Sequence, residues 1–273
     1  MEYCHQLDPV PRRTFLLSLL ATIASACAGP TLSGSIKRRA ELLDDAGDIY
    51  RRVSVDLHSH PGPFAGYLIS PGTSRELSDA LSRMRQGKLD SAVFSLPPDR
   101  PVLRRDPKTG VTRQFREPEA GELFRVAQSH FDKVLNQMEG TIALSAAEVS
   151  AFKRQGAPCA ILALEGADAL DGNLSRVQLF YGRGIRVMQL VHYRINEVGD
   201  IQSELPRYGG LTPFGRDVVK ELNRLGMIID VAHAHSAVLR GVLAESRHPV
   251  IDSIRGPLLV SEIRVPASGP TMS

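Results

Sequence analysis

The feature that most constrains the fold of this chain is a series of short apolar runs, each followed by a polar side chain that can bind a metal. Residues 158–164 form a continuous apolar run that ends at Glu165. Such a run is typical of a strand buried on both faces of a parallel sheet. Other apolar runs end at His58, His192 and His233. Because parallel strands end at one edge of a sheet, we predict that these four side chains meet there.

The segments between the apolar runs carry helix signals. A Thr-Pro step at 212–213 predicts a helix start, and Gly226 predicts the end of that helix. Residue pairs of the capping-box type, at 73–76 and 145–148, predict two further helix starts. Apolar residues recur with a helical period across 117–136 and predict another helix.

Alternating strands and helices predict an α/β fold with a parallel sheet, either open and doubly wound or closed as a (β/α)₈ barrel. No G-x-G-x-x-G and no phosphate loop follows the first predicted strand, 53–58. Metal-ligand residues at the ends of several strands favour the TIM-barrel-like arrangement, whose functional groups collect at the C-terminal strand ends. We predict a long loop at 97–116, which is rich in Pro and Arg, and short strands at 249–251 and 258–260.

A second histidine, His60, follows His58 at the period of a strand. Side chains alternate along a strand, so these two imidazoles point the same way. Imidazole is a good zinc ligand, and a zinc site with an open position activates water. The motif therefore predicts a metal-dependent hydrolytic centre. The alternative is a pair of ordinary surface histidines in a loop.

The charge balance argues against a nucleic-acid partner. The 273-residue chain has a formal net charge of +3, and its basic residues form no dense run. The pairs at 38–39 and 104–105 are both Arg-Arg, and we interpret each as solvated surface.

The first 26 residues have the pattern of an export signal. Arg12 and Arg13 precede an apolar stretch, 15–26, that is too short to cross a hydrocarbon core of about 30 Å. The paired arginines resemble a bacterial twin-arginine signal, with a Sec signal as the alternative. Cys27 follows Ala-Ser-Ala, which fits either a lipobox, with acylated Cys27 attached to the membrane, or simple cleavage before it. We expect an exported protein of the periplasm or cell envelope, with a linker at 27–48.

Several of these segments together resemble one known family. They are Leu164-Glu165-Gly166, the run 184–192, and the stretch 210–233 with its Gly-Leu-Thr-Pro-Phe-Gly-Arg start. Over about residues 53–253 the chain resembles the membrane (renal-type) dipeptidases, peptidase family M19. The resemblance implies a (β/α)₈ TIM-barrel-like, metal-dependent hydrolase domain at 49–257, which binds two zinc ions and cleaves dipeptides.

The resemblance also implies roles for individual residues. His58, His60, Glu165 and His233 would bind metal, with Glu165 bridging the two ions. His192 would polarise the substrate, so that Glu165 and His192 are the implied catalytic residues. His60 replaces the Asp usual in the family, and since His also binds zinc, the departure is tolerable.

The chain departs from the family near its C-terminus. Ile254 stands where the family has a second histidine ligand, and Ile cannot bind zinc. Residues 258–273 contain no equivalent of the late aspartate and arginine of the family, so we expect a barrel that is incomplete at its C-terminus. Two alternatives to an active dipeptidase stay open: a catalytically impaired remnant with one zinc, and another amidohydrolase-type metal hydrolase. The physiological dipeptide and the oligomeric state, a homodimer included, stay open as well.

Overall fold

The computed structural model describes residues 52–62 and 77–254. Apart from Arg52, these residues belong to the unit Val53–Ser273. The predicted export signal, Cys27, the linker, the capping pair at 73–76 and the tail 258–273 lie outside the described residues.

A curled parallel sheet forms the centre of the described structure. The strands along the chain are β1 (Val55–Ser59), β2 (Ser91–Leu96), β3 (Leu103–Arg105), β4 (Thr112–Gln114), β5 (Cys159–Glu165), β6 (Ile185–Gln189) and β7 (Ile228–Asp230). Five of them pair in parallel in the order β1-β2-β5-β6-β7, which follows the chain order. This half-barrel topology confirms the predicted α/β architecture.

Six helices of the described residues connect and cover these strands. They are α1 (Leu77–Gln86), α2 (Glu122–Gln137), α3 (Ala146–Arg154), α4 (Ser175–Gly182), α5 (Pro213–Leu225) and α6 (Ser236–Glu245). Among the described residues, no helix combines the length and the apolar character needed to cross a membrane.

Local capping explains where the helices start and end. The Thr212 hydroxyl accepts a hydrogen bond from the Gly215 amide, and Pro213 occupies the first turn of α5. Gly226 ends α5 with a φ of 70°, a left-handed conformation that favours glycine. Ser145 caps α3 in the same way as Thr212 caps α5. The helix starts predicted at both positions are confirmed.

The core lies between the sheet and the helices. β5 is buried along nearly its whole length, with Leu162 and Leu164 fully enclosed. Phe131 of α2 packs against Phe180 of α4 with ring centroids 5.7 Å apart. Apolar burial on both sides of the sheet supplies the main favourable term for folding and fixes the strand ends at which polar groups collect.

Several predicted elements differ from the structure. The helix predicted across 117–136 is present as α2 but begins only at Glu122. The predicted loop 97–116 contains a short 3₁₀ turn, Arg100–Val102, and an antiparallel hairpin of β3 and β4. The predicted strand at 249–251 is reduced to a single parallel bridge between Ile251 and Asp230. β6 ends at Gln189, so His192 lies in the loop after that strand.

Candidate metal centre

The structure brings together all five residues that the sequence singles out. His58 lies on β1 and His60 just after it, Glu165 ends β5, and His192 and His233 follow β6 and β7. Two overlapping groups, His58–His60–Glu165 and Glu165–His192–His233, each keep their ligand-type atoms within 4.8 Å of one another. Glu165 is common to both groups.

Glu165 is the centre of this cluster and is almost completely buried, with 1% of its surface exposed. Its Oε1 lies 3.3 Å from His58 Nε2 and 3.2 Å from His192 Nε2. Burial alone would raise the pKa of Glu165, but the neighbouring imidazoles, His192 first, lower it to about 2. The carboxylate is therefore ionised at neutral pH.

The other nitrogens of His58 and His60 have acceptors of their own. His60 Nδ1 lies 3.1 Å from the Ser95 carbonyl oxygen, which can only accept a hydrogen bond. His58 Nδ1 lies 3.0 Å from the Ser253 hydroxyl, whose proton is donated to Asp230 Oδ2 at 2.5 Å. The Ser95 hydroxyl is also 3.3 Å from His58 Nδ1. The carbonyl contact places the His60 ring proton on Nδ1, and the Ser253 contact favours the same tautomer for His58. This tautomer leaves a lone pair on each Nε2, as in metal-binding histidines.

The two Nε2 lone pairs face each other and the carboxylate. His58 Nε2 and His60 Nε2 are 3.2 Å apart, and His60 Nε2 is 3.4 Å from Glu165 Oε2. The contact between His60 Nε2 and Glu165 Oε2 lacks hydrogen-bond geometry. Glu165 Oε2 accepts no hydrogen bond from the residues described. Burial lowers the pKa of His60, against the opposing charge of Glu165. Converging lone pairs around an unsatisfied anionic oxygen fit a bound divalent cation.

His192 differs from the other histidines because a carboxylate contacts its Nδ1, the ring nitrogen that faces away from Glu165. Its Nδ1 lies 2.9 Å from Asp99 Oδ1, and Asp99 is fully buried. Burial would lower the pKa of His192, but Asp99 and Glu165 outweigh it and raise the pKa to about 9. This imidazole therefore holds a proton on each nitrogen, and the Nε2 proton points toward Glu165.

His233 completes the second group. Its ring stands edge-on to His192, with centroids 5.0 Å apart, and Tyr193 packs against both rings. Burial and the charge of His192 lower the pKa of His233 to about 4, so the ring is neutral. The backbone of His233 has a φ of 63°, a left-handed conformation that is uncommon outside glycine.

A second layer of buried polar residues supports the cluster. Asp168 accepts from Arg194 Nη1 at 2.8 Å and from Asn196 Nδ2 at 3.3 Å. Burial and the Asp99 charge raise the pKa of Asp168 to about 6, although Arg194 opposes this. The sequence did not predict Asp99, Asp168 or Arg194 as site residues, since none of them directly follows a long apolar run.

The turn after β5 depends on a glycine. Gly166 has a φ of 94°, and a Cβ there would lie 2.5 Å from Asp168 Oδ2 and 3.2 Å from the His192 Cβ. No side chain fits between these neighbours. Gly166 thus allows the second layer to approach Glu165 closely.

Fold and site together define an α/β protein with a cluster of histidine and carboxylate side chains at the C-terminal ends of parallel strands. The family model described as membrane dipeptidase (Peptidase family M19) matches residues 67–264. The chain belongs to this family. The family resemblance noted in the sequence is thereby confirmed.

This chain matches only part of the length of its curated relatives. Dipeptidase aclJ of Aspergillus oryzae is 35% identical over 103 residues, which cover 37% of this chain and 24% of that protein. Human Dipeptidase 3 is 37% identical over 98 residues, which cover 34% of this chain and 20% of that protein. The matched segments thus span about a quarter or less of these relatives.

Solved structures of similar fold cover more of the chain. The probable dipeptidase PvdM from Pseudomonas aeruginosa has a TM-score of 0.56 and 20% identity, over 78% of this chain and 55% of that one. A metallo peptidase from Rhodobacter sphaeroides, liganded with a phosphinate mimic of the dipeptide L-Ala-D-Ala, has a TM-score of 0.54 and 22% identity, over 73% of this chain and 64% of that one. At these identities the likeness supports the fold alone.

Proposed function

We propose that this chain is the metal-binding part of a zinc-dependent dipeptidase, which hydrolyses the peptide bond of a dipeptide. The observation that carries the proposal is the buried Glu165 carboxylate, whose Oε1 lies 3.3 Å from His58 Nε2 and whose Oε2, which has no hydrogen-bond partner among the described residues, lies 3.4 Å from His60 Nε2. Family membership supports the reaction class. The dipeptidases among the curated relatives support the substrate class.

The donor set fits zinc better than a hard cation. Imidazole nitrogens and a carboxylate oxygen suit Zn²⁺, whereas Mg²⁺ and Ca²⁺ are bound mainly by oxygen ligands. His58, His60 and Glu165 would hold one ion, and Glu165 with His233 would contribute to a second. A zinc ion held here supplies Lewis acidity and lowers the pKa of water toward 7.

His192 would act on the substrate rather than as a simple ligand. Asp99 holds the ring by its Nδ1 proton, so the Nε2 proton points into the cluster. A proton presented there can be donated to the oxyanion that develops when the peptide carbonyl is attacked. Tyr193 packs on this ring and restricts its rotation.

Ile254 favours a second candidate, a form with one metal and reduced turnover. Ile254 is the residue after Ser253, whose hydroxyl contacts His58. The aliphatic side chain of Ile254 offers no ligand atom. A second ion would then depend on Glu165 and His233, with His192 already paired to Asp99. A two-metal clamp that lacks a ligand loses part of its stabilisation of the attacking and leaving groups.

Zinc titration of the metal-free chain tests the proposal. We expect calorimetry to show one tight site, which Glu165→Gln and His58→Ala each weaken by at least about tenfold, the effect expected when a ligand is lost. His248→Ala is the matched control, because His248 is exposed and its side chain lies outside the cluster. Zinc binding that is unchanged in both site variants would refute the assigned ligand set.

Dipeptide turnover tests the reaction class separately. We expect the zinc-loaded chain to release amino acids from a dipeptide such as L-Ala-D-Ala, and Glu165→Gln to abolish the release while His248→Ala preserves it. Tight zinc binding with no hydrolysis of any dipeptide would support the reduced-turnover candidate.

A further inference from the structure

The β3–β4 hairpin concentrates positive charge beyond that of the rest of the chain. Residues 103–116 contain five cationic side chains and one carboxylate, a balance of +4, whereas the whole chain has +3. Arg116 is fixed to Glu122 at the start of α2 by two hydrogen bonds. Arg104, Arg105 and Arg113 form no ion pair with any carboxylate in the described part of the chain. The fold thus gathers charges that the sequence presents as scattered, solvated residues.

The strand register brings two of these charges directly opposite each other. Arg104 pairs with Arg113 across the antiparallel ladder, and both are exposed. Like charges facing each other across two strands are destabilising. The Phe115 ring beside Arg104 and the charge of Asp106 near Arg113 offset only part of this repulsion, so an external anion would stabilise the pair further.

An exposed aromatic ring lies within this cationic surface. Phe115 is 46% exposed, and the guanidinium of Arg104 lies over its ring at 4.5 Å. The Arg116 guanidinium lies 5.9 Å from the same ring centroid. Val111, near the hairpin turn, is also exposed. An exposed aromatic side chain with arginines beside it is typical of surfaces that enter the headgroup region of an anionic bilayer.

The hairpin is attached at the same edge of the sheet as the candidate metal centre. It follows the C-terminal end of β2 and the buried Asp99, which contacts His192. Arg105 shares a strand face with the buried Leu103. The opposite face of the hairpin carries Arg104 and Phe115.

We propose that the face formed by Arg104, Arg113 and Phe115 docks the protein on an anionic lipid bilayer, with the Phe115 edge in the headgroup region. This contact is separate from any acyl chain at Cys27 and does not rest on the proposed peptidase activity. Nucleic acid fits less well, because a base stacks on an open aromatic face and Arg104 already occupies a face of Phe115.

Vesicle binding by the full chain tests the docking face. The probes are vesicles of pure phosphatidylcholine and of an equal mixture with phosphatidylglycerol, at low and high salt. Arg104→Gln/Arg113→Gln removes the facing pair and Phe115→Ser removes the ring. Lys220→Gln/Arg240→Gln is the matched control, since it removes the same charge from exposed positions on α5 and α6. Any binding through the apolar segment 15–26 would be the same in all variants.

We expect the wild type to prefer the anionic vesicles and to lose that preference at high salt. The Arg104→Gln/Arg113→Gln variant should bind them about 30-fold more weakly, the loss expected for two cations near an anionic surface. Phe115→Ser should also weaken binding, while the control pair binds like the wild type. Equal loss in the control, no loss in the hairpin variants, or hairpin-dependent binding to duplex DNA instead of vesicles would each overturn the proposal.

Discussion

Nδ1 of His192 lies 2.9 Å from both carboxylate oxygens of Asp99, so one buried acid holds this imidazole by the nitrogen that faces away from Glu165. Asp99 also accepts a hydrogen bond from the Tyr193 amide at 3.3 Å. The pair fixes both the orientation of the ring and the position of its protons. Asp99 is therefore a positioning residue for His192.

Asp99→Asn should remove the Nδ1 proton of His192 and with it the positive charge of the ring. The Asn amide would donate to Nδ1, which would leave the ring proton on Nε2 and the ring neutral. We expect the ¹⁵N shifts of His192 to report this tautomer, and dipeptide turnover to fall by about 10²-fold or more in kcat, with KM little changed. Asp171→Asn, at an exposed carboxylate, is the control. Unchanged ¹⁵N shifts in Asp99→Asn would show that Asp99 does not set the tautomer.

The same ion pair predicts how the stability of the metal-free protein depends on pH. The pKa of His192 rises from 6.5 to about 9 on folding, so its contribution is complete below pH 6.5 and is lost as pH rises toward 9. The loss should be about 3 kcal/mol at most. Denaturant unfolding in the presence of a chelator measures it. In His192→Gln we expect stability to be flat over this pH window, and an equal decline in that variant would contradict the assignment.

Gly166→Ala should destabilise the protein by about 2–4 kcal/mol, because a positive φ and a close contact act together. The added Cβ would lie 2.5 Å from Asp168 Oδ2. Gly172→Ala is the control, since its φ is 67° and nothing lies within 4 Å of the added atom. We expect the control to cost only about 1–2 kcal/mol, the penalty of the backbone conformation. Equal losses in the two variants would mean that the contact with Asp168 relaxes freely.

Elemental analysis of the purified chain should give nearer one zinc than two. The reason is that Ile254 supplies no ligand, while His58, His60 and Glu165 form a complete group. Ile254→His should raise the zinc content toward two, and Leu205→His, at a highly exposed loop position, is the control. Two tightly held zinc ions in the wild type would show that His233 and its neighbours suffice for the second site.

We propose that Arg12 and Arg13 direct export through the twin-arginine route. Replacing both with lysine should then block export of the chain, whereas a Sec-type signal should tolerate the change. Fractionation of cells into periplasm, membrane and cytoplasm measures the outcome. Cys27→Ala distinguishes the lipoprotein alternative, because a protein anchored by acylation should leave the membrane fraction in that variant.

Sequence alone predicts the elements whose signals are local. α5 and α3 begin where a capping residue predicts them, because a cap is satisfied within one turn. β5 matches its apolar run to within one residue at each end. The hairpin of β3 and β4 was predicted as a loop, since its three-residue strands are rich in Arg and show no regular apolar alternation.

The clustering of the candidate ligands was predictable from the sequence, but the residues that support them were not. His58, Glu165 and His233 follow apolar runs, and parallel strand ends must share one edge of the sheet. Asp99 lies in a Pro-rich segment, and its partner His192 is 93 residues away in the chain. Such pairs are visible only in the folded structure, because no periodic pattern in the sequence predicts a contact between residues so far apart in the chain.

The hydrogen bonds of Ser253 have a consequence for the shape of the sheet. Five parallel strands laid flat would separate β1 from β7 by roughly 19 Å, at about 4.8 Å per strand. Yet the Ser253 hydroxyl contacts both His58 of β1 and Asp230 of β7. The C-terminal ends of the two outer strands are thus joined by side-chain hydrogen bonds instead of by backbone pairing. These hydrogen bonds contribute only about 1–2 kcal/mol. A cation held between residues of the two outer strands would therefore add stability, and its binding would fix the distance between their C-terminal ends.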